Sequence, residues 1–260
     1  MLKKIFRQPS STPYPVNLKP RDLTAERTAV TAKGAAVFDD AAYQEINRAR
    51  LAHLDSLQLA LAGKTLLDVG AGVGDLTGFF VDKGCAVTCA EGRRENVEVI
   101  RQRFPQVAAH VVNVETDPLT TLGRFQVVFG YGLLYHLESP VAALRNMASV
   151  CDELMVLETM ICDYDAPVVR LVDETFQFSQ ALDGMGCRPS PSFIALALLR
   201  VGFPHVYAPK QPPQHPHFQI QWRNNLEWRR DGLPLRGIFI ASRTPLNANP
   251  NLVSLVNPPK

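Results

Sequence analysis

The sequence predicts an α/β fold in which a mostly parallel sheet carries helices on both faces. Short, continuous apolar runs alternate along the chain with segments whose apolar residues recur at helical spacing, which is the order expected of β–α units. The first run, Leu66-Leu67-Asp68-Val69, has the character of a strand buried on both faces, and a glycine-rich turn and a helix start follow it directly. With 260 residues, of which 46% are hydrophobic, the chain can bury one large core.

The predicted elements follow in a regular order. A helix over 38–57 packs against the domain, and the first strand follows at 66–69. Further strands are expected at 85–90, 108–112, 125–130, 154–158, 205–208 and 236–243. Further helices are expected at 75–83, at 95–104, from Ser139-Pro140 onward, where a serine cap and a first-turn proline favour a helix start, and at 193–201.

Two segments lie outside this minimal sheet. They are 162–191 and 210–233, and the second contains Trp222, Trp228 and several arginines. Because loops after the carboxyl ends of strands build the pockets of such folds, both are expected to shape a substrate site. We therefore predict an N-terminal extension with its helix over 1–60, one domain over 61–243 with these two insertions, and a flexible tail over 244–260.

Composition excludes several classes of protein. No stretch approaches the roughly 20 apolar residues of a membrane span, and Met1 to Pro9 lacks the apolar core of a secretory signal, so a cytoplasmic location is expected. The five cysteines lack zinc-ligand spacing, and His215 and His217 lie in a proline-rich loop without a nearby carboxylate or thiol, so no metal site is expected. Basic segments at 1–33 and 210–243 flank an acidic centre, which suits either solvated loops or an anionic substrate.

The turn after the first strand indicates the class of ligand. It contains Asp68, Gly70, Ala71, Gly72 and Gly74. A dinucleotide fingerprint needs a glycine three places after Gly72, but Asp75 occupies that position and the glycine comes one residue early. Pyrophosphate is therefore not the favoured ligand. The pattern resembles motif I of the class I S-adenosyl-L-methionine (SAM)-dependent methyltransferases, which implies a Rossmann-like, seven-stranded sheet with a reversed last strand and SAM as cofactor, with S-adenosyl-L-homocysteine (SAH) as product.

Two further strand ends carry residues suited to adenosine. Glu91, next to Gly92, closes the second strand 21 residues after Gly70, where an acid can accept both ribose hydroxyls. Asn113 and Val114 follow the third strand and resemble the family position that holds adenine through a polar side chain and a backbone N–H. Glu91 suits NAD equally well, and each residue alone could instead shape a turn or face solvent. Together they favour SAM.

The segment from Phe129 to Pro140 is expected to line the cavity beside the reacting centre. Its sequence, FGYGLLYHLESP, resembles the segment after the fourth strand in many small-molecule and tRNA methyltransferases. That resemblance assigns Gly130 to the cofactor site, and His136 is a candidate base for an acceptor hydroxyl, although an imidazole at this junction can also hold the backbone. Tyr131 and Tyr135 are expected to pack on the cofactor or offer a hydroxyl.

Glu158, at the end of the fifth strand, is the second candidate base or a substrate clamp; its alternative is a bond to a neighbouring helix start. Arg170, Asp173 and Arg188, in the first insertion, are candidates for substrate contact that spacing alone does not separate from surface charge.

The expected function is SAM-dependent methyl transfer to a small-molecule or sugar-like acceptor, at oxygen. The segments 132–140, 157–159 and 191–192 also resemble the tRNA wobble-uridine carboxymethyltransferases, so modification of RNA by a methyl or carboxymethyl group is the alternative. The modest net charge of +2 favours the small or glycan acceptor, because RNA binding asks for a clearly basic face. An inactive SAM-binding protein and an NAD-dependent oxidoreductase remain as further hypotheses, and no membrane partner is expected.

Overall fold

A computed structural model describes residues 38–174, 181–182, 184–219 and 235–256, and it confirms the predicted α/β sheet. The strands are β1 (Thr65–Val69), β2 (Ala86–Glu91), β3 (Ala108–Val111), β4 (Phe125–Tyr131), β5 (Cys151–Met160), β6 (Val169–Asp173), β7 (Met185–Pro189), β8 (His205–Pro209), β9 (Arg236–Ser242) and β10 (Leu252–Ser254). The main sheet has the order β3-β2-β1-β4-β5-β9-β8-β10, and β6 and β7 form a separate antiparallel hairpin.

Five α-helices lie in the described part of the chain. They are α1 (Ala41–Ser56), α2 (Thr77–Asp82), α3 (Arg94–Arg103), α4 (Pro140–Ser149) and α5 (Pro191–Arg200), with short 3₁₀ turns at Leu119–Leu122, Leu134–His136 and Pro216–Phe218. Local chemistry explains their starts: Asp40 accepts from two backbone N–H groups of α1, and Ser190 caps α5 before a first-turn proline. The serine cap expected for α4 is absent, because Ser139 makes no side-chain bond to the helix and its own N–H donates to Glu115.

The reversed strand that the resemblance implied is β9. It pairs antiparallel with β5, whereas β1, β2, β3, β4 and β5 are mutually parallel. The predicted number of seven strands is wrong, because residues 252–254 of the predicted tail form β10 and pair antiparallel with β8. Asn249 ties this segment to the end of α1 by donating to the Leu57 carbonyl, so the chain returns along a sheet edge that would otherwise be unpaired.

Both faces of the sheet are buried, which explains the continuous apolar character of the strands. In β1, Leu67 and Val69 belong to one core cluster and Leu66 to the other. The predicted extension up to residue 37 and the segment 220–234, with Trp222 and Trp228, lie outside the described residues. Across the described ranges, no helix has the length and apolar content that a membrane crossing requires.

Candidate active site

A cavity of about 490 Å³ opens at the carboxyl ends of the central strands, between α1 and the β6–β7 hairpin. This volume lies in the range of small-molecule sites. Of the residues predicted for the site, its wall includes Gly70, Gly72, Glu91, Gly92, Asn113, Val114, Tyr131 and His136, whereas Asp68, Ala71, Gly74, Gly130 and Glu158 are not part of the wall. Parallel topology gathers these strand ends at one edge, although they are distant in sequence.

The glycine turn has a backbone that only glycine adopts readily. Gly70 and Gly72 have φ values of 71° and 57°, and a Cβ atom on Gly72 would lie 2.8 Å from the Phe38 ring. The Gly72 N–H donates to Glu91 Oε2 at 2.9 Å, so the turn and the end of β2 form one unit. Gly74 allows close packing below the turn, because a Cβ atom there would lie 3.0 Å from the Phe104 ring.

Asp68 lies behind the glycine turn and does not face the cavity. It is 3% exposed and accepts a hydrogen bond from Thr77 Oγ1, at the first residue of α2, at 2.7 Å. Burial raises the pKa of Asp68 to about 7. Gly130 similarly provides space inside the core, where a Cβ atom would lie 2.9 Å from Met147. Both residues therefore support the turn or the sheet from below, and their predicted contact with the cofactor stays a prediction.

Glu91 and Asn113 mark the far end of the cavity. Glu91 is 8% exposed, and its Oε1 accepts from the Arg93 N–H at 3.0 Å and from Asn96 Nδ2 at 3.3 Å. Burial raises the pKa of Glu91, and these donors oppose that effect. Asn113 Oδ1 accepts from the Glu115 N–H, so this side chain also shapes the turn after β3. These groups fit an adenosyl cofactor: the glycine backbone suits its amino-acid part, the acid suits its ribose and the amide suits its base.

His136 ends the 3₁₀ turn after β4 and lines the other half of the cavity. Its Nδ1 lies 2.6 Å from Glu174 Oε2. Burial lowers the pKa of His136, and the charges of Arg188 and Arg236 act in the same direction, while Glu174 raises it. The imidazole is therefore neutral at pH 7, the state that a proton acceptor needs. Sequence reasoning missed Glu174 because it follows β6 in an insertion that has no recognisable motif.

The Glu158 side chain has different partners from those predicted. Its carboxylate is fully buried and is held by Arg50 at 2.5 Å and Arg236 at 2.9 Å, so neither oxygen is available as a base or as a clamp for substrate. Burial alone would raise the pKa of Glu158, but Arg236 and Arg50 together lower it. Arg50 had a detectable signal: it lies at helical spacing between Ile46 and Leu54, on the apolar face of α1.

Two tyrosines complete the inner wall. Tyr131 is 5% exposed, and its hydroxyl has no hydrogen-bond partner in the described part of the chain. The Tyr135 hydroxyl accepts from Arg236 at 3.3 Å, and the ring centroid lies 4.8 Å from the Arg236 guanidinium and 5.4 Å from that of Arg188. Of the insertion residues considered for substrate contact, Asp173 and Arg188 line the cavity and Arg170 does not.

The two histidines considered as metal ligands, His215 and His217, are not among the residues that line the cavity. Over the described ranges, no three or more histidine, cysteine or acidic side chains are grouped so that they could hold a metal ion. His215 and His217 lie 4.7 Å apart between ring centroids, near the 3₁₀ turn at Pro216–Phe218.

Comparison with known proteins gives three results. A sequence model of a methyltransferase domain family matches residues 43–208. The tRNA U34 carboxymethyltransferase of Idiomarina loihiensis is 29% identical over 163 residues, which are 59% of this chain and 48% of that protein. The enzyme of the same name from Cronobacter sakazakii is 30% identical over 123 residues, which are 45% of this chain and 38% of that protein. The chain thus spans about half the length, or less, of these curated relatives.

Solved structures with the same fold include two proteins that were crystallised with SAH or SAM. The N-terminal domain of EvdMO1, crystallised with SAH, aligns with a TM-score of 0.57 at 23% identity and covers 76% of this chain and 80% of that one. Magnesium protoporphyrin IX methyltransferase (ChlM) from Synechocystis PCC 6803, crystallised with SAM, aligns with a TM-score of 0.57 at 16% identity and covers 88% of this chain and all of that one, 100%. At these identities the likeness concerns the fold.

Proposed function

The chain belongs to the methyltransferase domain family, with the fold of the SAM-dependent enzymes, and we propose that it transfers a methyl group from SAM to a hydroxyl oxygen of a small-molecule or sugar-like acceptor. The observation that carries this proposal is the cavity itself. One space joins the glycine turn and Glu91 to a half-buried, neutral His136 whose Nδ1 is already engaged. The part of the cavity proposed to hold the methyl donor, at the glycine turn and Glu91, therefore meets the part proposed to hold the acceptor, at His136. We call these the donor half and the acceptor half.

The donor half would hold SAM through residues from three strand ends. The backbone at Gly70 and Gly72 can approach the methionine part of SAM closely. Glu91 can accept the ribose hydroxyls, and Asn113 with the Val114 N–H can hold adenine. When bound, SAM supplies a methyl group on a sulfonium, whose sulfur keeps the electron pair of the broken carbon–sulfur bond. The protein then has to provide position and a proton acceptor.

His136 is the residue proposed to accept the proton. Because Nδ1 faces Glu174, Nε2 is the nitrogen left to receive a hydrogen bond from an acceptor hydroxyl. Nε2 would take the proton of the acceptor hydroxyl during methyl transfer, so no oxyanion would have to form first. His136 would later release this proton to solvent, after the product leaves. Tyr131 also lines the cavity, and its hydroxyl has no hydrogen-bond partner among the described residues, so it is proposed to orient the acceptor.

The charges around the cavity support a small acceptor. Its wall contains acidic groups (Asp40, Glu91, Asp173 and Glu174) as well as basic groups (Arg188 and Arg236). Binding of RNA through phosphates favours a continuous basic surface, and the described residues of this wall do not provide one. The volume of about 490 Å³ also suits a cofactor with a small group beside it.

A transfer assay with methyl-labelled SAM tests the proposal. The purified protein is incubated with labelled SAM and a cell extract, and label is counted separately in the RNA, protein, glycan and low-mass fractions. Label in the glycan or low-mass fraction is expected, and it should fall by about 10²-fold or more in the His136→Ala variant if a general base is lost. His110→Ala, at an exposed position on β3, is the matched control and should transfer normally. Equal transfer by both variants would exclude His136 as the base.

A second candidate function has a specific observation in its favour. Arg50 and Arg236 share the single carboxylate of Glu158, so this buried group carries one excess positive charge, and Arg236 reaches the cavity wall beside Tyr135. A carboxylated SAM would bring a matching negative charge, which would suit carboxymethyl transfer to tRNA, the activity in the names of the curated relatives.

Mass spectrometry of small molecules released from the purified, denatured protein separates the two candidates. A carboxylated donor together with label in the RNA fraction would favour carboxymethyl transfer, whereas SAM or SAH would favour methyl transfer. Tight SAH binding without transfer to any fraction would indicate an inactive SAM-binding protein. Stabilisation by NADH and not by SAH would indicate an oxidoreductase.

A further inference from the structure

We infer that Glu174 is a positioning residue that fixes the tautomer of His136, and that Arg188 holds the Glu174 carboxylate in its ionised form. This inference rests on the proposed function and describes how the base of that site is prepared. Glu174 Oε2 lies 2.6 Å from His136 Nδ1, and Glu174 Oε1 lies 3.4 Å from the Arg188 guanidinium. The three residues come from the turn after β4, the end of β6 and β7, so only the folded chain brings them together.

The β6–β7 hairpin is seated directly on the turn that carries His136. A Cβ atom on Gly186 would overlap the Tyr135 carbonyl oxygen and lie 2.8 Å from Glu174 Oε1. In the two residues that follow, Cys187 Sγ donates to the Leu134 carbonyl at 3.2 Å and Arg188 Nη1 donates to the Tyr135 carbonyl at 3.0 Å. Three consecutive residues of β7 therefore hold the backbone of residues 134–135, and this contact delivers Glu174 to His136.

An ionised carboxylate decides which ring nitrogen carries the proton. Glu174 can only accept a hydrogen bond when it is ionised, so His136 must donate from Nδ1, and the lone pair is then on Nε2. A nearby Arg188 guanidinium favours the ionised form of Glu174 and makes transfer of the proton to the carboxylate unfavourable. Without Glu174, a neutral imidazole would populate both tautomers, and only one of them offers Nε2 as a base.

Glu174 and Arg188 have opposite effects on the pKa of His136. The charged groups that face this imidazole are Glu174 after β6, Arg188 on β7 and Arg236 on β9, and the centroid of the Tyr135 ring lies 4.0 Å from that of the imidazole. Removing the negative charge of Glu174 leaves two arginines and burial, all of which disfavour the imidazolium, so the pKa of His136 must fall. Removing the positive charge of Arg188 must raise it. A merely structural contact would not produce shifts of opposite sign.

Nuclear magnetic resonance of protein labelled with ¹⁵N-histidine tests the inference without any acceptor. The chain has six histidines, and the spectrum of His136→Gln assigns the signal. In the SAH-bound protein, the expected result is a His136 ring with its proton on Nδ1 and a titration midpoint below 6.5. Glu174→Gln should lower this midpoint and Arg188→Gln should raise it. Glu138→Gln, an exposed acid two residues from His136, is the control and should leave both tautomer and midpoint unchanged.

Several outcomes would overturn the inference. They are a proton on Nε2 in the wild type, an imidazolium at pH 7, or the same titration midpoint in both variants. Far-UV circular dichroism and SAH affinity verify that each variant is folded. Once the acceptor is known, Glu174→Gln should lower kcat by about 10-fold or more, part of the 10²- to 10⁴-fold that a general base contributes, with little change in the KM for SAM. A correct tautomer in a protein that transfers nothing would refute the proposed function and leave the positioning intact.

Discussion

The buried carboxylate of Glu158 allows a quantitative prediction about stability. Glu158 is fully buried, and the side chains of its partners, Arg50 and Arg236, are 2% and 7% exposed. Glu158→Gln keeps the shape and one carbonyl acceptor but removes the negative charge, so two buried guanidinium groups lose their counter-charge. Breaking a buried ion pair by removing one partner costs about 3–5 kcal/mol, and because one hydrogen bond is retained we expect about 3 kcal/mol.

Glu153→Gln is the matched control, because Glu153 also lies on β5 and pairs with a lysine, Lys64. That carboxylate is 45% exposed, so the pair is screened by solvent and its loss should cost no more than about 1 kcal/mol. Denaturant unfolding without SAH measures both variants. A loss of about 3 kcal/mol in a chain of this size also lowers Tm by about 6–12 °C.

The pH dependence of the same difference provides a second check. Because the arginines lower the pKa of Glu158 in the folded state, its stabilising effect is complete above the unfolded pKa of about 4.3 and is lost as the pH falls through the lower folded pKa. The gap between wild type and Glu158→Gln should therefore be constant from pH 6 to 8 and should shrink in acid. Equal stability of Glu158→Gln and Glu153→Gln at neutral pH would refute the reasoning.

Three other predictions concern the turn and the hairpin. Gly72→Val should weaken SAH binding, measured by calorimetry, by at least about 10-fold, which corresponds to about 1.4 kcal/mol, while Gly84→Val, where φ is also positive but no atom lies within 4 Å, should bind normally. Gly186→Ala should displace the hairpin from the turn and lower transfer without reducing SAH affinity; undiminished transfer would contradict the packing described here. Because burial raises the pKa of Asp68 to about 7, this carboxyl ionises at lower pH in the unfolded chain than in the folded protein, so the stability of the wild type should fall from about pH 4 to about pH 7. Asp68→Asn should therefore gain stability relative to wild type over this range and keep a constant difference above it, and a difference that stays constant throughout in denaturant titrations would argue against the assignment.

Much of the fold follows from local patterns in the sequence. Alternation of buried strands with helical segments predicted β1 to β5, β8 and β9, because burial on both faces and proline or capping residues at helix starts act over only a few residues. The short strand β10 escaped this reasoning. It has three residues and no strong periodicity, and it exists because the chain returns along the open edge of β8.

The same division applies to the site. Gly70, Gly72, Glu91 and Asn113 could be selected from sequence because each lies at the end of a recognisable strand or just after it, and the carboxyl ends of parallel strands must meet at one edge. Glu158 was selected by the same rule, but its role depends on Arg50, which is 108 residues away in the chain. Spacing along the chain does not show which charges will be buried together.

The sequence by itself therefore determined the class of fold, the glycine turn and the side of the sheet on which the cavity lies, because these depend on neighbouring residues and on strand direction. Only the tertiary structure decided that Glu174 reaches His136, that Arg188 holds Glu174, and that Glu158 is occupied by two arginines. These pairings depend on how the β6–β7 hairpin and α1 pack against the sheet. Packing of that kind is a property of the whole core, and it sets the protonation state on which the proposed chemistry depends.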